Sequence, residues 1–196
     1  RIADATRRQG DLPMMRTFAW ALGALFLAGV VHIVTVLGVP RFAVNDPWRE
    51  IGGIAGDGVF SRLPRPAPGV KTLPGLDPAM THAACRFSLD KGPMRIRAET
   101  TDGYWSLSLY DRRGLWVWGV DNRASEQKPI DILVASNVQV AQLRETLPDE
   151  LEDVVIVDWP GQEGFVLYKI LVPTASQVAE IEAVLATARC NPSPMQ

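Results

Sequence analysis

The chain has 196 residues, with 20 lysines and arginines against 22 aspartates and glutamates and a formal net charge of −2 at pH 7. Such a balance lacks the basic stripe that a nucleic-acid surface needs, so nucleic acid is not an expected partner. With 47% hydrophobic residues the chain can bury one domain-sized core, and it is small for two.

Residues 1–17 carry Arg1, Arg7, Arg8 and Arg16 against Asp4 and Asp11. Met14, Met15 and Arg16 directly precede an apolar run, as in a short membrane leader, so residues 1–13 are expected to be poorly structured or untranslated. From Phe18 to Val39 there is no formal charge over 22 residues. That length crosses the ~30 Å hydrocarbon core of a bilayer as a helix. The arginine-rich flank places the N-terminus in the cytoplasm and the following chain on the far side. The expected location is therefore the inner membrane, with a periplasmic C-terminal domain. Two readings compete with an anchor. A cleaved signal has a shorter apolar region and a small-residue cleavage site, and LGVPRFAVND offers no A-x-A pattern. A buried core helix would be weakened by Gly23, Gly29 and Gly38. His32, inside the span, has no acidic partner there and reads as a neutral bystander.

Residues 40–80 form a connector rich in proline and glycine, from Pro47 through Pro64, Pro66 and Pro68 to Pro78. Proline lacks an N–H and excludes long helix and central strand. Asp46-Pro47-Trp48 suits the start of one short helical turn. The stretch Leu63–Gly69 suits a stiff, extended spacer.

Residues 81–196 read as a small β-rich domain. Met94, Ile96 and Ala98 alternate with Arg95, Arg97 and Glu99, the period of a half-buried strand. Trp105, Leu107 and Leu109 alternate with Ser106 and Ser108. With turns at Thr101–Gly103 and Asp111–Gly114, and a third strand at Leu115–Trp118, this predicts an antiparallel meander. Ile130–Val134 is a further strand, and Val138–Leu147 is ambiguous with helix preferred, ending at Pro148. Val154–Val157 and Phe165–Val172 flank Pro160–Gly164 and predict a hairpin. A final helix starts at Thr174, which has capping-box spacing to Gln177. Its apolar face is Val178, Ile181, Leu185 and Ala188, and Arg189 suits its C-terminal dipole. The fold class is α+β: a transmembrane helix, then an antiparallel sheet or sandwich-like domain with the C-terminal helix packed on it.

Two cysteines, Cys85 and Cys190, lie near the ends of this domain. In an oxidising compartment they are most simply one disulfide, pinning the last helix to the strand around Cys85. Two unrelated buried thiols are the alternative.

Several segments in this order resemble a known family: Ala84–Ile96, Gly103–Asp111, Gly164–Pro173 and Ala188–Cys190. They are similar to small alphaproteobacterial membrane proteins known as domain of unknown function 1254, related to 1214. The likeness covers Trp48 to Pro192. Its most specific part is the Tyr104-Trp105-Ser106-Leu107 strand before an aspartate-containing turn, with Asp121-Asn122-Arg123 matching a later family segment. The resemblance implies an inner-membrane protein with a periplasmic domain, often encoded beside a sister protein of the same kind. It implies no established activity.

Catalytic templates are not met. His82, the domain's one histidine, falls in an expected solvent-facing loop at Thr81–Ala84, and pairing Cys85 would remove the nearby thiol as a nucleophile. Asp111, Asp121 and Asp131 each border a turn or a strand start, where aspartate belongs for local hydrogen bonding, and are read as turn residues. No cluster has zinc-ligand spacing, so neither catalytic residues, metal nor cofactor is expected. The aromatic group is the feature with functional interest. Trp116 and Trp118 are expected on one face, and Tyr104 and Tyr110 on the face opposite Trp105. Beside Arg112, Arg113 and Arg123 these four rings make a candidate binding face. The functional expectations are a non-enzymatic envelope module that binds a protein partner, such as a sister membrane protein, or a module that binds envelope glycan or lipid. An envelope hydrolase ranks behind both.

Overall fold

The computed structural model describes residues 5–42, 47–70, 72–125, 128–145, 151 and 153–193. Pro148, the expected helix stop, lies outside them. The chain divides into two compact units, residues 1–45 and 46–196.

The first unit is a single helix, α1 (Ala5–Phe42). It is helical from Ala5, so the expectation of a poorly structured leader is corrected for residues 5–13. Met14–Val39, 26 residues long, is apolar enough to cross a membrane, and none of its most apolar window is buried. The apolar residues run all around the helix rather than along one stripe, which suits a lipid-facing span.

The second unit is a two-sheet sandwich. Its elements are α2 (Pro47–Gly52), β1 (Ser61–Arg62), β2 (Met80–Ser88), β3 (Met94–Ala98), β4 (Trp105–Asp111), β5 (Trp116–Asp121), β6 (Ile130–Ser136), α3 (Asn137–Glu145), β7 (Val155–Trp159), β8 (Glu163–Leu171), α4 (Val178–Leu185) and β9 (Arg189–Pro192). A five-stranded sheet runs β1-β2-β8-β4-β5, and a four-stranded sheet runs β7-β6-β3-β9. The inner faces bury Cys85, Phe87, Trp105, Leu107, Leu109, Val166, Tyr168 and Ile170 of the first sheet against Met94, Ile96, Ile132 and Val134 of the second. This is the period-2 alternation of strands packed on one side.

Three pairings depart from the expected meander and hairpin. β3 does not pair with β4; it lies in the other sheet, between β6 and β9. β7 pairs parallel with β6, joined through α3, so the sheet is mixed. β7 and β8 are not a hairpin: Pro160–Gln162 carries the chain from one sheet to the other, and β8 inserts between β2 and β4. Only β4 and β5 keep the predicted hairpin, its turn closed by Gly114 at φ +82°. Asp111 Oδ1 accepts from the Arg113 and Leu115 N–H groups, and Asp121 Oδ1 from those of Arg123 and Ala124. Both aspartates are thus turn residues, as expected. Asp131 is not; it lies in β6 and accepts from Arg95 at 2.9 and 2.8 Å and from Arg97 at 3.2 Å.

The C-terminal helix is shorter than its apolar pattern. Thr174 Oγ1 donates to the Gln177 side chain and caps no backbone N–H. Past α4 the chain turns extended as β9, and Cys190 is a strand residue. The disulfide Cys85–Cys190 is present. It joins β2 to β9, and so one sheet to the other, rather than a helix to a strand.

The segment after residue 46 is also no spacer. Trp48, Ile51, Ala55 and Leu63 are buried against Ala84 and Phe165 on the outer face of the five-stranded sheet. Burial there outweighs the extended preference of the prolines, which instead shape the loop returning to β2.

Candidate functional site

The outer face of the five-stranded sheet carries three rows of side chains in register. The first row is His82, Lys169, Ser106 and Asp121; the second is Ala84, Leu167, Ser108 and Gly119; the third is Arg86, Phe165, Tyr110 and Trp116. Side chains directly opposite across strands stand close enough to interact.

The third row is aromatic and basic. Tyr110 stacks on Phe165 with centroids 5.2 Å apart. Arg86 and Arg112 lie over the Trp48 ring at 4.2 and 5.9 Å. Arg112 also pairs with Glu163 at 2.7 Å. The ring quadrupole attracts both guanidinium groups and fixes them above the indole.

The expected face is only partly assembled. The register shifts between Leu109 and Tyr110, so Trp116 lies opposite Tyr110 while Trp118 lies opposite Leu109. This bulge breaks the alternation and sends the two tryptophans to opposite faces. Trp116 is 63% exposed on the outer side, whereas Trp118 packs partly buried against the main core. Tyr104 precedes β4 and is exposed at its start. Arg112 and Arg113 lie in the turn before β5 and Arg123 in the turn after it. Six strand residues separate those turns, roughly 20 Å. Tyr110 and Trp116 are therefore cross-strand partners with Arg112 and Arg113 in the adjoining turn, whereas Trp118, Tyr104 and Arg123 lie apart from them.

The first row is polar. His82 is not in a solvent-facing loop, as expected, but inside β2 and only 2% exposed. The short strand β1 pairs Ser61 and Arg62 with Ala84 and Ala83, and the Leu63 N–H donates to the His82 carbonyl, so the anticipated loop is strand. Burial holds the imidazole pKa below its ordinary 6.5, and the Lys169 ammonium adds to that shift. Ser106 Oγ is buried with no hydrogen-bond partner among the described residues. Trp48, Arg86 and Lys169 were missed from sequence alone. Lys169 had a legible signal, a lone cation in the apolar run Phe165–Val172. Arg86 and Trp48, 38 residues apart, had none.

β5 forms the edge of its sheet, and among the described residues no strand pairs with its far side. Leu115, 57% exposed, and Trp116 stand on or beside that edge. The opposite edge, β1, is only two residues long. Edges are normally blunted by shortness or charge; β1 is short, but β5 reads Trp-Val-Trp-Gly-Val-Asp.

The geometry defines a β-sandwich with an open apolar edge, in a chain that also holds one helix long and apolar enough to cross a membrane. Its sequence places it further. Residues 59–192 match the family DUF1254, described as a protein of unknown function, and the chain belongs to that family. No curated protein matches it significantly in sequence. Among solved structures it is similar to the VPA0106 protein of Vibrio parahaemolyticus, at 12% identity and a TM-score of 0.51, covering 71% of this chain and 34% of that one. An uncharacterised protein from Burkholderia cenocepacia aligns at 14% identity and a TM-score of 0.42, covering 66% and 34%. The chain thus spans about a third of the length of both.

Proposed function

We propose that this protein is a single-pass inner-membrane protein whose periplasmic, non-enzymatic domain binds a protein partner in the envelope, with its N-terminus in the cytoplasm. The observation that carries this reading is the β5 edge. An edge of six residues with exposed Leu115 and Trp116 offers both a backbone template and an apolar anchor, the two ingredients of strand addition. A separate polypeptide supplying neighbouring structure, such as a sister membrane protein of the same family, fits an edge left open.

The test is photo-crosslinking from a benzoylphenylalanine at position 116 of the full chain in native membranes. A single stoichiometric adduct, lost when Leu115 is changed to Lys, is expected. Adducts that are heterogeneous, or unchanged by Leu115→Lys, would reject the edge as an interface.

A second reading rests on Arg112, Tyr110 and Trp116, which share one face. An exposed indole beside a cation suits an envelope glycan or lipid headgroup. Retention of such a ligand that Trp116→Ala abolishes, with the fold intact, would favour it.

A further inference from the structure

A second opening lies on the side of the sandwich away from β5. The two sheets end there in the short strand β1 and the C-terminal strand β9, and the gap between those edges is a cleft of about 440 Å³. Its floor is core: Ala83, Leu185, Ala188 and the disulfide residue Cys190 all line it. Phe60 and the exposed Val59 extend the apolar wall outward.

Its charges are three. Arg62 on β1 pairs with Glu182 on α4 at 2.5 Å, linking two walls of the cleft. Arg189 opens β9, and its Nη1 donates to the Ala186 and Ala188 carbonyls at 2.7 and 3.0 Å. Those bonds fix the guanidinium at the cleft, and among the described residues no carboxylate pairs with it. The lining therefore holds an apolar floor and one uncompensated positive charge.

We propose that this cleft binds a single-chain amphiphile with an anionic head, its acyl chain on the apolar floor and its head on Arg189. The volume lies in the range of small-molecule sites, and an apolar lining with a few placed polar groups is their usual make-up. Charge complementarity selects the anion, because a guanidinium hydrogen-bonds carboxylate or phosphate with charge assistance. The source is the bilayer that α1 is built to cross, where such amphiphiles are concentrated. The site is separate from the β5 edge and stands or falls without it.

The experiment uses the full chain in phosphatidylcholine nanodiscs, a diazirine-bearing palmitate, and mapping of the label by mass spectrometry. Label is expected on Phe60 and Leu185, and excess plain palmitate should suppress it. Ala186 is exposed and lines the cleft, so Ala186→Trp blocks the opening without entering the core and should lower that label at least about tenfold. Arg189→Gln should lower it about tenfold, the scale of one charge-assisted hydrogen bond. A diazirine-bearing hexadecanol of the same length should label the wild-type cleft correspondingly less. Label confined to Met14–Val39, or cleft label indifferent to Ala186→Trp and to competitor, would overturn the site. Equal labelling by the acid and the alcohol would overturn its preference for an anion.

Discussion

The Arg86 guanidinium on β2 lies 4.2 Å from the centre of the Trp48 ring on α2, and this contact makes the segment after residue 46 part of the domain. Arg86 also pairs with Asp57 at 2.7 Å, and its Nη1 donates to the Trp48 carbonyl at 3.4 Å. Gly52 leaves the space that the guanidinium occupies. One arginine thereby ties three points of a proline- and glycine-rich segment to the sheet.

Removing the ring should loosen that segment and cost stability. Trp48→Ala should destabilise the domain by about 3–5 kcal/mol, the range for deleting a buried aromatic side chain. Trp48→Phe keeps a π face and should cost about 1 kcal/mol. Urea unfolding of the detergent-solubilised full chain, followed by near-ultraviolet circular dichroism, measures both. Equal midpoints for wild type and Trp48→Ala would show that the segment does not stabilise the fold.

The disulfide closes a loop with a sequence separation of 105 and joins the two sheets. In the chain-entropy account a loop of that size stabilises by about 4–5 kcal/mol. The double variant Cys85→Ala, Cys190→Ala should lower unfolding free energy by about 3–5 kcal/mol. Both cysteines are buried, so reductant alone should leave the native protein oxidised, while reductant with urea should shift the midpoint. Thiol labelling of unreduced, denatured protein should find no reactive group; two would disprove the bond.

Acid should weaken the fold through His82. Its pKa is lowered by burial and by Lys169, so the folded state disfavours the proton. Stability from the neutral imidazole is complete above the unfolded value near 6.5 and falls as pH drops through that value toward the lower folded one. Unfolding free energy should therefore decline as pH falls through 6.5 and below, and His82→Gln should flatten that slope. An imidazole titration by NMR with its midpoint at or above 6.5 would contradict this placement.

Gly164 permits a close contact at the start of β8. A Cβ there would meet Trp159 and Phe87 side chains and the Tyr110 carbonyl, the last two at 2.8 Å. Phe87 and Trp159 pack edge to face, with centroids 5.1 Å apart, on one side of that gap. Gly164→Ala should cost about 1–3 kcal/mol by overpacking, seen as a lower melting temperature. A neutral result would mean that the aromatic pair repacks freely.

Much of the local structure was legible because it rests on short-range rules. The alternation in Trp105–Leu109 marked strand β4, and the aspartates at 111 and 121 marked the turns on either side of β5. The apolar run Phe18–Val39 announced a membrane-spanning length. The candidate face was legible only in part. Alternation assumed an unbroken strand, and one bulge at Leu109/Tyr110 separated Trp116 from Trp118. Arg86 and Trp48 meet only through packing, which leaves no periodic trace.

The sequence by itself determined the apolar helix, the strand-forming segments from β3 to β8, the β4–β5 turn and the family, since each depends on neighbouring residues and their order. The tertiary structure alone decided which strands share a sheet, that β8 lies between β2 and β4, that β6 and β7 run parallel, and that the prolines lead into the core. Those choices bring together residues distant in the chain. They are set by the burial of whole faces, which many local patterns satisfy equally well until the complete core selects one.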